Sequence, residues 1–160
     1  MSTNKFDTQI DARPVKRFFV EMLTRDIQIE DAILDLLDNC VDGILRSKTE
    51  KTSLTKPYQG FWAKITINKN LFEINDNCGG IPWSEHERAF RMGRPLSADT
   101  LDSPLSVGVY GIGMKRAIFK LGKSSHIVTQ NNVDSYQVQF SEKWINLEDS
   151  WYLDVEPNLN

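Results

Sequence analysis

The sequence predicts an α+β fold, and three observations carry that expectation. Two segments place apolar residues at helical spacing, a pair of short apolar runs has the look of a hairpin, and later runs are rich in β-branched and aromatic residues. With 160 residues, 40% of them apolar, the chain can bury one substantial core, so a single domain over 1–160 is expected.

Taken in chain order, Asp11 is placed to cap a first helix with Pro14 in its opening turn. Val15, Phe18, Phe19 and Met22 give that helix an apolar stripe, and it should end near Leu23. A second helix should run from about Ile27 to Arg46, because Ile33, Leu36, Leu37, Cys40, Val41 and Ile44 recur at spacings of three and four. The polar stretch from Ser47 to Gly60 reads as a mobile surface loop. Ala63 to Ile67 and Leu71 to Ile74 form a hairpin across Asn68, Lys69 and Asn70, after which Asp76 falls in a turn. Ser84 followed by Glu87 is a capping-box signature for a short helix reaching about Met92. From Gly93 to Gly108 two prolines, three serines and two aspartates leave no sustained period, so an irregular connection is expected, placed to act as a lid around 93–107. Met114 to Leu121 reads as a helix entered from a glycine loop and ended by Gly122. Ile127 to Thr129, Tyr136 to Phe140 and Trp151 to Val155 read as strands.

Composition excludes several classes of function. The net charge is −3 with both signs interspersed, so no broad field points to nucleic acid or to a membrane surface. No apolar run approaches the ~20 residues needed to cross a bilayer, and the first residues are polar rather than a signal peptide. Only two cysteines occur, Cys40 and Cys78, each within a segment that has other work to do, so neither a disulfide framework nor a zinc site is expected, and the thiols should be reduced in a cytoplasmic protein.

Three segments carry chemistry. On the second helix Asp35, Asn39 and Asp42 fall within about 60° of one another, opposite Ile33, Leu37, Cys40 and Ile44. Asp31, Asp35, Asp38 and Asp42 also sit three or four residues apart and repel one another. Either this is a solvated outer face, or a divalent cation relieves the repulsion, and magnesium accepts oxygen ligands of this kind. Asp76-Asn77-Cys78-Gly79-Gly80-Ile81 sets a carboxylate beside two glycines. It reads as an ordinary turn or as a place where a buried ionised aspartate, which only accepts hydrogen bonds, takes the amine of adenine and repels the carbonyl of guanine. Gly108-Val109-Tyr110-Gly111-Ile112-Gly113 runs into Met114-Lys115-Arg116, so backbone amides at a helix start lie beside two cations, as an anion site requires. It is neither a P-loop, because Met114 precedes Lys115 and Arg116 follows it, nor a Rossmann loop, because Arg116 stands where the third glycine belongs.

In this order the three segments resemble the ATPase superfamily of gyrase-type topoisomerases, heat-shock chaperones, sensor histidine kinases and mismatch-repair proteins. Asp35 to Gly43 looks like its Asn box, Asp76 to Ile81 like its adenine box and Gly108 to Lys115 like its phosphate loop. The resemblance implies a Bergerat-type two-layer sandwich, with a mixed, mostly antiparallel sheet covered on one face by helices. It implies ATP and Mg2+ as cofactors, the Asn39 oxygen as the magnesium ligand, Asp76 as the partner of the adenine amine, and Lys115 with the loop amides on the phosphates. The implied nucleotide contacts are Asn39, Asp42, Gly43, Asp76, Gly80, Ile81, Gly108, Val109, Tyr110, Gly111, Ile112, Gly113, Met114 and Lys115.

The pattern departs from the family in places. Asp35 stands where a glutamate usually activates water, which keeps the carboxylate and shortens its reach by a methylene. Gly43 replaces a common alanine, and Cys78 replaces the first glycine of the adenine box. No later strand is seen to carry the threonine that this class uses near the adenine, so a truncated or minimal domain lacking the last strands is expected. The expected function is magnesium-dependent ATP binding with slow hydrolysis, Asp35 acting as general base, coupled to a conformational change. The alternative is an interaction module gated by ATP that scarcely hydrolyses it. Expected partners are ATP and ADP, and a larger protein or a second copy.

Overall fold

Residues 12–47, 55–93, 112–147 and 150–157 are described by the computed structural model, and they alternate short helices with antiparallel strand pairs. Helix α1 spans Lys16–Thr24 and α2 spans Ile29–Ser47. Strands β1 (Ala63–Ile67) and β2 (Phe72–Asp76) form a hairpin in which Ile67 faces Phe72 and Ala63 faces Asp76. A 3-10 turn over Trp83–Glu85 leads into α3 (His86–Phe90). Helix α4 covers Gly113–Leu121, followed by β3 (Ser125–Gln130), β4 (Ser135–Phe140), α5 (Glu142–Asn146) and β5 (Val155–Pro157).

Strand β4 is central to the second sheet and pairs antiparallel with both β3 and β5. Its period-two pattern is plain, with Tyr136, Val138 and Phe140 at 3%, 1% and 1% exposure, while Gln139 on the other face is exposed. Phe90 of α3, Ile118 of α4 and Trp144 of α5 close over the buried face, with Phe140 edge-on to both Phe119 and Trp144. Each such apolar side chain contributes roughly 1.5–3 kcal/mol on leaving water. Helices α2 and α4 approach through small residues, Ala32 and Ala117 both being fully buried.

The α+β class is therefore observed, and the strands of the described residues form two antiparallel sheets rather than one mixed sheet. The segment that follows β2 is held to the second sheet by a side chain: the Ile81 N–H donates to Thr129 Oγ1 on β3 at 2.6 Å. Other local expectations shift. Asp11 and the loop at 48–54 lie outside the described residues; Val15 stands at the N-terminus of α1 without a side-chain cap, and Pro14 precedes that helix. The apolar stripe of α1 is largely exposed, with Val15, Phe18 and Met22 at 51%, 59% and 44%, and the helix is instead anchored by Lys16. That ammonium is buried, donates to the carbonyls of Trp144 and Leu147, and lies 4.5 Å from the Trp144 ring centroid. Ser84 caps nothing because it falls inside the 3-10 turn, whose preceding residue is Pro82. Helix α5 was not foreseen, and Ser141 caps it by accepting from the Trp144 N–H at 3.0 Å.

Candidate functional site

Helix α2 is the spine of the candidate site. Near its middle, Asp35 Oδ2 accepts from Arg116 Nη2 at 2.8 Å and from Arg116 Nε at 3.1 Å. The same carboxylate sits beside the start of α4: a Cβ placed on Gly113 would lie 3.7 Å from its Cγ. One turn later the Asn39 amide nitrogen donates to the Asp35 carbonyl at 2.7 Å, which turns Oδ1 away from that carbonyl on an exposed part of the helix. The four aspartates thus do not form one solvated face. Asp31 and Asp38 are exposed, Asp35 is paired, and Asp42 is buried at 8% exposure.

One further turn along, α2 touches the segment after β2. A Cβ on Gly43 would come 2.5 Å from the Cys78 carbonyl oxygen, so glycine is required where the helix and this backbone meet. Asp76 closes β2 instead of lying in a turn, and it is exposed rather than buried. Its Oδ1 accepts from the Cys78 N–H at 2.8 Å. Asn77 ties the neighbouring chain, accepting from the Trp62 N–H at 2.7 Å and donating to the Gly60 carbonyl at 2.9 Å.

Gly80 has φ +64°, and a Cβ there would meet the Gln130 carbonyl oxygen at 2.4 Å. Ile81 is held on both sides, its N–H by Thr129 and its carbonyl by the Tyr136 hydroxyl, which donates at 3.0 Å. A threonine-bearing strand, β3, therefore reaches this segment, a contact the sequence reading overlooked. Burial pushes the Tyr136 hydroxyl up to about 12, with the Asp134 charge adding to it. The Cys40 thiol is pushed up to about 12 by burial, with the Asp76 charge and then Cys78 adding; burial and Asp76 raise the Cys78 thiol also.

At the start of α4, Ile112 is the capping residue without a side-chain bond, and the first helical donor to find its carbonyl is the Arg116 N–H at 2.8 Å. The amides of Gly113, Met114 and Lys115 belong to the first turn, where helix donors have no partner within the helix. Lys115 is not turned toward that opening. Its ammonium is buried and donates to the Ala89 carbonyl of α3 at 2.8 Å, tying the two helices together. Gly108, Val109, Tyr110 and Gly111, and the expected lid apart from Gly93, lie outside the described residues.

The structure thus brings Asp35 to the start of α4, and Gly43 to Cys78 and Gly79 in the segment that follows Asp76. Sequence reasoning missed Arg116 as the partner of Asp35, Thr129 and Tyr136 as the clamps on Ile81, and the meeting of the two cysteines. No helix among the described residues is long and apolar enough to cross a membrane. No curated protein matches the chain significantly. The family model of histidine kinase-, DNA gyrase B- and HSP90-like ATPases matches residues 27–159, the stretch that contains every element from α2 onward. The chain belongs to that family of ATP-binding domains.

Proposed function

We propose that this domain binds ATP with magnesium between α2, the Asp76–Ile81 segment and the start of α4, and hydrolyses it slowly. The observation that carries the reading is the convergence on one helix: Asp35 lies against the first turn of α4, Asn39 follows it one turn along α2, and Gly43 of the same helix contacts the segment that follows Asp76. Eight residues of helix separate Asp35 from Gly43, about 12 Å, so an elongated ligand can lie along α2 with its ends in different chemistry.

At one end, Asp76 presents an exposed carboxylate that only accepts, which suits the amine of adenine and disfavours the carbonyl of guanine. Gly80 and Ile81 form the backbone beside it, held by Thr129 and Tyr136. At the other end, the amides of Gly113, Met114 and Lys115 favour negative charge. The Asn39 Oδ1 is a neutral hard-oxygen donor, compatible with magnesium, and Asp42 supports α2 from its buried side. Magnesium, when bound, neutralises phosphate charge. Gly108 to Gly111 complete the phosphate loop and the 93–107 segment closes over it, on sequence grounds alone. Lys115 donates one of its three ammonium N–H groups to the Ala89 carbonyl, and a phosphate would take another. The two reduced thiols suit a cytoplasmic setting.

Asp35 is the candidate general base, and its ion pair favours a second reading. A carboxylate oxygen that already accepts two guanidinium N–H bonds has its lone pairs engaged and is not free to accept from an attacking water, so the domain in this state binds ATP without turning it over. Release of Arg116 from Asp35 separates the two readings. Calorimetric titration with ATP and with GTP, each with and without Mg2+, tests the assignment. Binding of ATP that needs Mg2+ and exceeds that of GTP is expected; equal affinity for both nucleotides, or none for either, would sink it.

A further inference from the structure

Cys40 and Cys78 are 38 positions apart in the chain, yet their sulfurs and a carboxylate oxygen of Asp76 all lie within 4.8 Å of one another. The close approach follows from Gly43: without a side chain there, α2 lies directly on the Cys78 backbone, and the Gly43 Cβ position is only 3.6 Å from the Cys78 Cβ. Both cysteines are buried, whereas Asp76 reaches solvent, so the cluster has a dry sulfur side and an open oxygen side.

We propose that Cys40, Cys78 and Asp76 form a binding site for one thiophilic divalent cation such as Zn2+ or Cd2+, and that the bound ion excludes nucleotide from Asp76. A tetrahedral zinc ion holds sulfur at about 2.3 Å and oxygen at about 2.0–2.2 Å, which sets its ligand atoms roughly 3.5–3.8 Å apart. Three atoms already within 4.8 Å come to that spacing by side-chain rotation. The bonds given up are weak: Cys40 Sγ donates to the Leu36 carbonyl at 3.6 Å and Cys78 Sγ to the Trp62 carbonyl at 3.7 Å. Two thiol protons leave to solvent as the thiolates bind, and water fills the fourth position on the Asp76 side. Thiolate ligands select zinc and cadmium over magnesium, so this ion does not compete for the Asn39 oxygen. The exclusion of nucleotide rests on the proposed adenine role of Asp76, since a carboxylate held by a metal no longer accepts from an amine.

Titration of the whole chain with Cd2+, followed by sulfur-to-cadmium charge-transfer absorbance, tests the site. One equivalent is expected, with the band reduced in Cys40→Ser and Cys78→Ser, and with affinity lower by more than the roughly 10- to 100-fold that a second-shell change costs. Asp76→Asn, at an exposed position, is expected to keep the band and weaken binding, which provides a readout should a serine variant fail to fold. Absence of the band, or its full persistence in both serine variants, overturns the site. Cd2+ is also expected to weaken ATP binding in the native chain more than in Cys78→Ser, where only chelation by ATP itself persists. Equal weakening in both chains overturns the exclusion. A metal-free chain that binds no ATP would instead remove the nucleotide reading and leave the cation site standing.

Discussion

Along α2 the contact with the segment after β2 is backbone against backbone, whereas two turns earlier the contact with α4 is made by a pair of charged side chains. The first region admits no variation: Gly43 and Gly80 face carbonyl oxygens at distances no Cβ tolerates, and Ile81 is bonded at both its N–H and its carbonyl. The second is adjustable. Arg116 and Asp35 have side chains 37% and 21% exposed, and a rotamer change separates them without moving a helix. The base end of the proposed site is thus fixed by the fold, while the phosphate end is set by side chains that a ligand can rearrange.

The largest effect expected is on turnover, at the adjustable end. Asp35→Ala should lower phosphate release roughly 100- to 10,000-fold, the range a well-placed general base contributes. ATP affinity measured by calorimetry should change little. Undiminished phosphate release would remove Asp35 from the chemistry and leave the second region purely a binding surface.

Gly43→Ala probes the fixed end. The substitution gains about 1 kcal/mol of helix propensity, but the new Cβ meets the Cys78 carbonyl at 2.5 Å, and that atom belongs to backbone that cannot swing aside. Overpacking of this kind costs typically 1–3 kcal/mol and occasionally more, so a net loss of stability in urea unfolding is expected. A variant as stable as the native chain would show that this seam is slack after all.

What the sequence made legible divides along the same line. The periodicity of α2, the β1–β2 hairpin and the helix ended by Gly122 are local patterns, and all three elements are present within a few residues of where those patterns put them. The pairing of Arg116 with Asp35 spans 81 positions, and that of Thr129 with Ile81 spans 48. No spacing rule reaches so far, so the threonine clamp was overlooked although the strand bearing it was foreseen. Lys115 shows a contact that spacing does not reveal. A cation beside glycines reads as a phosphate ligand, but its long side chain reaches the Ala89 carbonyl from the buried face of α4. Ser84 misled because a capping box is a four-residue coincidence, and Pro82 starts a 3-10 turn through it.

Asp76→Asn sharpens the comparison from the ligand's side. An ionised acceptor contributes about 1.5–3 kcal/mol to a hydrogen bond, so ATP should bind roughly 10- to 100-fold more weakly to the variant. Equal affinity would place the purine elsewhere.

Alkaline pH probes the buried thiols at the fixed end. The folded Cys40 thiol is raised from 9.0 to about 12, so above about pH 9 the unfolded chain releases a proton that the folded chain retains. Stability is then complete below that range and falls as pH rises through it. Urea midpoints should drop between about pH 9 and pH 11, less steeply in Cys40→Ala; parallel slopes would mean that the thiol titrates alike in both states.

The smallest change in stability is expected for Arg116→Gln, yet it discriminates most between the two readings of function. Partly exposed ion pairs contribute about 0–1 kcal/mol, so the urea midpoint should scarcely move. With the two N–H bonds gone, Asp35 Oδ2 is open to a hydrogen bond from water, and phosphate release should rise while ATP affinity stays within a few-fold. The opposite result carries its own meaning: if affinity falls tenfold or more, Arg116 leaves Asp35 to bind phosphate when nucleotide arrives. The ion pair would then be the resting position of a ligand, not a restraint on the base.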